Sequence, residues 1–161
     1  MSRVFVGVGS NEGERLVHIS GALQALGAIE GVRLVQVAPI IETEPLGGPP
    51  QGLYLNTVVE IDTALEPFTL LHALQQIEQR GGRRPKAQRW ASRPIDLDLL
   101  LYGDRVINEP SLMIPHPLLH ERYFVLEPLI QIAPRVVHPT LHQSMTALFE
   151  ILLAQPSASA V

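Results

Sequence analysis

Residues 53–62 have the sequence LYLNTVVEID, in which core-type side chains alternate with polar and aromatic ones. Alternation with a period of two predicts a β-strand that buries one face. The face expected to meet the core carries Leu53, Leu55, Thr57, Val59 and Ile61. The opposite face carries Tyr54, Asn56, Val58, Glu60 and Asp62.

A helix and another strand are predicted downstream of this strand. Pro67 suits the first turn of a helix, where its missing N–H removes no hydrogen bond. Apolar residues then recur at helical spacing, and the glycine pair at 81–82 ends the pattern. Residues 95–101 alternate again, with Ile95, Leu97 and Leu99 expected on the helix-facing side.

A strand, a helix and a second strand are predicted upstream. Residues 3–9 alternate, and Asn11 with Glu14 fits a capping box at the start of a helix. Residues 32–43 are rich in β-branched types and predict a strand, in which Pro39 favours an edge or a bulge. The apolar stripe of the helix is Leu16, Ile19, Leu23 and Leu26, and the helix is expected to end near Gly27 or Gly31.

The resulting order is strand, helix, strand, strand, helix, strand, which is the split βαβ pattern of ferredoxin-like α+β folds. Beyond residue 102 two short helices are predicted, near 124–132 and 144–153. We expect one domain over residues 1–161, with a frayed tail from about 154.

Composition limits the class of protein. The chain has 161 residues, of which 46% are hydrophobic and 17% charged, so a disordered or fibrous chain is excluded. It has no cysteine, which excludes disulfides, thiolate metal sites and cysteine nucleophiles. No apolar run reaches the roughly 18 residues of a membrane helix. We therefore expect a soluble, cytoplasmic protein without a membrane partner, and a monomer.

The basic residues are concentrated in one segment. Six of the twelve lysines and arginines lie between Arg80 and Arg93, and no acidic residue interrupts them, although the net charge is −4. A positive segment on an acidic body favours a small polyanion such as a polyphosphate over a long nucleic acid. The alternative is a loop that is simply solvated. Trp90 lies inside the segment, and the glycine pair at 81–82 would allow it to close over a charged, planar ligand.

Polar side chains of three strands are predicted on the sheet face away from the helices. Phe5 and Gly7 contribute from the first strand, Tyr54 and Asn56 from the third, and Asp96 and Asp98 from the fourth. Tyr54 offers a stacking surface, and the amide of Asn56 can pair with the edge of a heterocycle. The alternative is an ordinary exposed Tyr–Asn pair.

The two aspartates of this face are candidates for a metal site. Carboxylates at i and i+2 stand roughly 7 Å apart on a strand, where they repel unless a cation lies near them. Mg²⁺ takes a few carboxylates together with phosphate oxygens and water. Solvation, or ion pairs with Arg89 and Arg93, explains Asp96 and Asp98 equally well from their spacing alone, and the adjacent basic segment favours a metal with a polyphosphate.

The four histidines of two i,i+4 pairs are expected to cap turns or bind a ligand rather than hold zinc. Proline lies inside each pair, which makes regular helix doubtful there. The pairs are His116 with His120 and His138 with His142.

A series of short motifs covers nearly the whole chain in a fixed order. They are residues 9–11 (GSN), 43–47 (TEPLG), 54–56 (YLN), 77–78 (IE), 89–98 (RWASRPIDLD), 114–117 (IPHP), 122–126 (RYFVL) and 128–129 (PL). With these motifs the chain resembles the 6-hydroxymethyl-7,8-dihydropterin pyrophosphokinases of folate biosynthesis. The resemblance implies transfer of pyrophosphate from ATP to the pterin hydroxymethyl group, with release of AMP.

The resemblance also implies roles for individual residues. Asp96 and Asp98 would hold two Mg²⁺ ions, with Arg83 and Arg93 completing the catalytic set. The pterin would be bound by Thr43, Pro45, Leu46, Tyr54, Asn56, Trp90 and Phe124. ATP would be bound by Gln75, Arg83, Arg84, Trp90, Arg93, His116 and Arg122.

One segment departs from the family pattern. The family often has G-R-x-R after the second helix, whereas residues 82–85 are GRRP. Either Arg84 supplies the second arginine from a shifted position or that contact is missing.

Two other classes of protein are compatible with the same fold. An RNA-binding module would need exposed aromatic residues, but the RNP signature is absent, so no nucleic-acid partner is expected. A metal-dependent hydrolase would use the same pair of aspartates, and its product from ATP would be ADP rather than AMP.

Overall fold

The N-terminal strand lies at the centre of the main sheet, between the two strands that carry most of the predicted site. The computed structural model describes residues 1–45, 51–81 and 94–156. Its strands are β1 (Ser2–Ser10), β2 (Val32–Val37), β3 (Ile41–Thr43), β4 (Tyr54–Thr63), β5 (Asp96–Tyr102), β6 (Ile107–Glu109) and β7 (Leu112–Ile114). Its helices are α1 (Arg15–Gly27), α2 (Pro67–Arg80), α3 (Tyr123–Ile132) and α4 (Met145–Ala154), with a short 3-10 turn at Leu119–Glu121.

The main sheet has the strand order β2-β4-β1-β5, and β3 also pairs with β4. All of these pairings are antiparallel. The sheet therefore has the ferredoxin-like topology that the order of elements predicts, and the α+β class is confirmed. Helices α3 and α4 confirm the two predicted C-terminal additions, while the hairpin formed by β6 and β7 was not predicted.

One face of the sheet packs against α1 and α2. Alternate residues of β1, β4 and β5 point to this side, as their period of two requires. The core on this side includes Val4, Val6, Val8, Val59, Ile61, Leu97 and Leu99 from the strands, and Ile19, Leu26, Leu70, Leu74 and Ile77 from the helices.

The second face is covered over only part of its length, because α3 and α4 pack near one end of the strands. Phe5, Val58, Leu100 and Leu101 are buried there. The helices bury Val125, Leu126, Leu129, Met145 and Leu148 against them. Toward the other end the same face carries Gly9 and Asn56, which are buried, and the two aspartates, which are partly exposed. A ligand could therefore reach this end of the sheet at the aspartates.

A bulge in β5 changes which way its last residues point. The register with β1 shifts between Phe5 and Val6: Phe5 pairs with Leu101, and Val6 pairs with Leu99. Leu100 is the extra residue between them and has no register partner on β1. Leu100 and Leu101 both lie in the core under α3 and α4, and Tyr102 returns to the side of α1 and α2. Strict alternation would have placed Leu101 on the side of α1 and α2, and Tyr102 under α3 and α4. A bulge reverses the pattern for the residues that follow it.

Two expectations about the elements were wrong. The strand predicted over residues 32–43 is divided into β2 and β3 around Pro39, which has no N–H to donate to a ladder. Asn11 does not cap α1: its Nδ2 donates to Gln51 Oε1 at 2.6 Å and to the carbonyl oxygen of Gly52 at 3.2 Å. The cap position belongs to Glu14, and its side chain makes no capping hydrogen bond.

Two apolar residues assigned to core faces are exposed. Leu16 is 59% exposed in the first turn of α1, and Leu53 is 37% exposed just before β4 begins. Leu16 lies at the start of its helix and Leu53 just outside its strand, where the periodic pattern continues but none of the described elements buries the side chain. Ala154, the first residue of the predicted tail, is the last residue of α4, and residues 157–161 are outside the described part. No helix in the described residues is long and apolar enough to span a membrane.

A buried histidine stabilises the turn that leads into α4. The Nδ1 atom of His138 accepts hydrogen bonds from the backbone N–H groups of Thr140 at 3.2 Å and Leu141 at 3.1 Å. Burial lowers the pKa of His138, and the nearby His120 and His142 lower it further. This ring therefore caps a turn, as expected, and no group of three potential metal ligands occurs among the residues that the structure describes.

This geometry predicts that His138 makes the protein less stable in acid. The folded state keeps the ring neutral, whereas the unfolded chain takes up the proton near the ordinary pKa of about 6.5. The contribution to the free energy of unfolding is thus complete above that pH and is lost as the pH falls toward the lower folded-state pKa. In His138→Asn an amide oxygen can accept the same N–H groups without titrating. The free energy of unfolding, measured with urea, should fall less between pH 7.5 and pH 5 for this variant than for the wild type. His72→Asn, on the exposed side of α2, should show the same fall as the wild type. Equal losses in all three proteins would refute the assignment.

Candidate active site

Gly9 lies on the sheet face away from α1 and α2, between the strands that carry Asn56 and the two aspartates. On one side β1 pairs it with Asn56, and on the other side with Asp96. A Cβ atom at Gly9 would lie 2.7 Å from Asn56 Oδ1 and 3.5 Å from a ring carbon of Tyr54. The side chains of β4 therefore occupy the space that the missing side chain leaves.

Gly7, one step along the same face, has a different role. Its register partners are Val58 and Asp98, and a Cβ atom there would make only ordinary contacts of 3.6–3.8 Å with Leu100 and Asp98. A side chain would thus collide with Asn56 at Gly9, whereas Gly7, the glycine expected on this face from the sequence, has room for one.

Asn56 is held in one orientation by Thr43. Its Nδ2 donates to Thr43 Oγ1 at 2.7 Å, and both residues are buried. β3 is placed to do this because it pairs with the first residues of β4. A fixed amide still has a second N–H and a carbonyl oxygen, which form the donor and acceptor pair that the edge of a heterocycle requires.

Asp96 and Asp98 lie at the start of β5, where they are partly exposed. Leu97 between them points into the core, so both carboxylates are on the uncovered face, as predicted. A pair of carboxylates fits Mg²⁺, which completes its shell with water and substrate phosphates.

His116 reaches the same area from the segment after β7. Its backbone N–H donates to the carbonyl oxygen of Leu100 at 2.9 Å, and a cis peptide bond joins Ile114 to Pro115 just before it. Burial, reinforced by Arg122 and opposed by Asp96, lowers the pKa of His116 to about 4. The ring is therefore neutral at pH 7. Because Nδ1 accepts the N–H of Leu118 at 3.1 Å, the proton of the neutral ring belongs on Nε2, where it can be donated to an anion.

Arg122 and Phe124 come from the start of α3. The guanidinium of Arg122 lies 5.5 Å from the centre of the Phe124 ring, within the range of a cation–π contact. α3 packs against β3 and β4, so these residues are carried by a helix beside the strands of Thr43, Tyr54 and Asn56. Neither residue could be placed by strand alternation, because both follow the last strand of the chain.

The structure does not bring every predicted residue together. Pro45 follows β3 on the side of Thr43, whereas Gln75 is exposed on α2, which packs against the other face of the sheet. The remaining predicted residues lie outside the described part of the chain: Leu46, Arg83, Arg84, Trp90 and Arg93.

Glu78 is a residue to which the sequence reasoning gave no role. It is buried on α2, and its Oε2 accepts the backbone N–H of Leu97 at 2.9 Å. The available signal was its position, four residues after Leu74 on the buried stripe of the helix, where a charged residue is rare.

Comparison with known proteins agrees with the geometry. Residues 5–134 match the family described as 7,8-dihydro-6-hydroxymethylpterin-pyrophosphokinase (HPPK). A 2-amino-4-hydroxy-6-hydroxymethyldihydropteridine pyrophosphokinase of Pseudomonas aeruginosa is 42% identical over 134 residues, which cover 83% of this chain and 82% of that protein. The enzyme of the same name from Bacillus subtilis is 41% identical over 82% of this chain and 78% of its own length.

Some relatives are much longer than this chain. The folic acid synthesis protein fol1 of Schizosaccharomyces pombe is 42% identical over 94% of this chain, which spans only 20% of that protein. A solved Plasmodium falciparum HPPK-DHPS structure superposes with a TM-score of 0.72 at 15% identity, over 94% of this chain and 43% of that one. At that identity the likeness supports the fold alone.

The fold is ferredoxin-like, and the sequence match places the chain among proteins named as pyrophosphokinases. Within that class, the chain belongs to the 7,8-dihydro-6-hydroxymethylpterin-pyrophosphokinase family.

Proposed function

We propose that this protein transfers the terminal pyrophosphoryl group of ATP to the hydroxymethyl group of 6-hydroxymethyl-7,8-dihydropterin in folate biosynthesis. The observation that carries the proposal is the arrangement around Gly9, where the fixed amide of Asn56 and the carboxylate of Asp96 flank one glycine. A heterocycle bound by the amide and a metal polyphosphate bound by the carboxylates would then lie side by side. Membership of the family supports the same reaction.

The pterin would lie over the start of β4. Asn56 would bind the polar edge of the ring, while Tyr54 and Phe124 would contact its faces. The segment that follows β3, with Pro45 and Leu46, would complete the pocket, and Trp90 would close over it. A planar, hydrogen-bonding ring suits this combination of aromatic side chains and one oriented amide.

Thr43→Val is expected to weaken pterin binding by removing the acceptor that orients Asn56. Leaving a buried N–H unpaired costs about 1–3 kcal/mol, so the KM for the pterin should rise roughly tenfold or more while kcat changes little. Thr43→Ser keeps the hydroxyl and should restore the wild-type KM. Steady-state kinetics with the pterin varied at saturating ATP measures both constants, and equal KM values for the valine and serine variants would argue against this role.

The polyphosphate would lie on the side of β5. Asp96 and Asp98 would hold two Mg²⁺ ions, which neutralise phosphate charge and polarise the oxygens that they contact. His116, Arg122 and the arginines at 83, 84 and 93 would bind ATP. The family resemblance assigns Gln75 to ATP as well, but α2 carries this side chain on the other face of the sheet, away from the polyphosphate. Neutral His116 and cationic Arg122 are both hydrogen-bond donors, so each suits a phosphate oxygen.

In the reaction, the pterin hydroxyl oxygen forms a bond to the β-phosphorus of ATP. The bond from that phosphorus to the oxygen shared with the α-phosphate breaks, and AMP leaves with this oxygen. The hydroxyl proton is released. The protein's task is to align the two oxygens and neutralise charge, because phosphoryl transfer needs little covalent help from the enzyme.

Identifying the nucleotide product tests the proposal. The full chain is mixed with ATP, Mg²⁺ and 6-hydroxymethyl-7,8-dihydropterin, and nucleotides and pterins are separated by chromatography. The expected result is AMP and pterin diphosphate in equal amounts. ADP would indicate a hydrolase or a single-phosphate kinase, and the absence of any product from folded protein would reject the proposal.

A further inference from the structure

We infer that Glu78 is a positioning residue, whose buried carboxylate fixes the backbone between Asp96 and Asp98 and so sets the geometry of the metal-binding pair. The inference rests on the proposed function of those two aspartates. Glu78 acts from the far side of the sheet and touches neither the pterin nor the nucleotide in this arrangement.

The hydrogen bond from Leu97 to Glu78 is the first observation. Glu78 lies in the last turn of α2 with 5% of its surface exposed, and its Oε2 lies 2.9 Å from the backbone nitrogen of Leu97. Leu97 is the residue between the two aspartates. A hydrogen bond to a carboxylate is stronger than one between neutral groups, especially where water is excluded.

β5 needs such a bond because it is an edge strand of the main sheet. β1 pairs with it on one side, where Leu97 lies opposite Val8. On its other side an edge strand presents backbone N–H groups that no strand accepts. The N–H of Leu97 is accepted instead by the side chain of a helix, at the point where the chain enters the strand.

A second contact ties the same two elements together. A Cβ atom at Gly81 would lie 2.7 Å from Ile95 Cγ2 and 3.4 Å from the carbonyl oxygen of Ile77. Ile95 is buried, and it immediately precedes the first aspartate. The end of α2 thus meets the start of β5 at two points, one polar and one apolar.

These contacts connect Glu78 to the site. Asp96 and Asp98 point to the uncovered face, so their separation depends on the backbone that carries them. When the N–H of Leu97 is held from the α2 side and β1 holds the other edge, that backbone has one conformation before any ligand arrives. Without Glu78, the backbone N–H of Leu97 would lose the acceptor that α2 provides on the edge opposite β1.

The test compares Glu78→Leu with Glu78→Gln in the full-length chain. The leucine variant removes the acceptor, whereas glutamine keeps an oxygen in its place. In Glu78→Leu we expect faster hydrogen exchange of the Leu97 amide by NMR, by about tenfold or more, because one buried hydrogen bond is lost. We also expect the Mg²⁺ concentration for half-maximal turnover to rise by a similar factor, with the KM for the pterin unchanged. Glu78→Gln should restore both values most of the way to the wild type.

Glu60→Leu is the matched control, because Glu60 is another buried carboxylate. It accepts from Arg3 and Gln36 near the other end of β4. Its loss should lower stability without changing the Mg²⁺ dependence or the exchange of Leu97. If Glu78→Leu does not fold, Gly81→Ala tests the second contact between α2 and β5 by displacing Ile95. It should shift the Mg²⁺ dependence in the same direction, and an unchanged dependence would show that the end of α2 does not set the geometry of the two aspartates.

Two results would overturn the inference. If Glu78→Leu and Glu60→Leu change the Mg²⁺ dependence equally, Glu78 contributes only to stability. If Asp96→Asn and Asp98→Asn show the same Mg²⁺ dependence as the wild type, the proposed metal site itself is wrong. That failure is distinct from a failure of the role of Glu78 alone.

Discussion

Asp98→Asn is expected to lower kcat by about 10³-fold or more, because a bound metal supplies several kcal/mol of charge stabilisation to the transition state. Asparagine keeps the size of the side chain and removes the charge that would hold the cation. The side chain is partly exposed on an edge strand, so the substitution should leave the fold intact. Pterin affinity should change little, since the proposed pterin site is formed by side chains of β3, β4 and α3.

The measurements for Asp98→Asn are kcat from AMP release and pterin affinity from isothermal titration calorimetry. Asp104→Asn is the matched control, because Asp104 is an exposed carboxylate in the turn that follows β5. That variant should retain wild-type values of both constants. Normal turnover in Asp98→Asn would remove the carboxylate pair from the mechanism.

Gly9→Ala is expected to raise the KM for the pterin by roughly 10- to 100-fold, which corresponds to an overpacking penalty of about 1–3 kcal/mol. The new methyl group would lie 2.7 Å from Asn56 Oδ1, so the amide must turn away from Thr43 or the two strands must separate. Either change would disturb the fixed orientation of Asn56 on which the proposed pterin recognition depends. kcat at saturating pterin should fall less than the affinity does.

Gly21→Ala provides the control for Gly9→Ala. Gly21 lies in the middle of α1, and a Cβ atom there would meet nothing within 4 Å. Because alanine is the better helix former, this variant should be more stable by about 0.5–1 kcal/mol with unchanged kinetics. An unchanged KM in Gly9→Ala would show that Asn56 does not need the space above Gly9.

Strand alternation was sufficient to predict which face of the sheet carries the candidate site. It placed Tyr54, Asn56, Asp96 and Asp98 on one side, and the structure confirms this because a period of two determines the face of every residue before a bulge. Alternation could not show that α3 and α4 cover part of the same face. That depends on tertiary contacts of segments beyond the last sheet strand, which the local pattern does not encode.

His116, Arg122 and Phe124 entered the prediction only through the family resemblance. They follow the sheet in the sequence, and no periodicity relates them to β4 or β5. The interaction of Glu78 with Leu97 was missed for another reason, since a helix pattern shows that a side chain is buried but not which backbone group it meets. The bulge at Leu100 was missed because residues 99, 100 and 101 are all leucine. A run of identical apolar residues does not show where the alternation between the two faces changes.

The central position of β1 has a consequence for synthesis on the ribosome. This strand is made first, yet Val4 finds its partners only at Ile61 and Tyr102, and Gly9 at Asn56 and Asp96. Pairings so distant in sequence form slowly, because a long loop must close before any contact is gained. The apolar residues of β1 therefore lack their full set of strand partners until β5 has left the exit tunnel. The residues that flank Gly9 come together only when these distant pairings form.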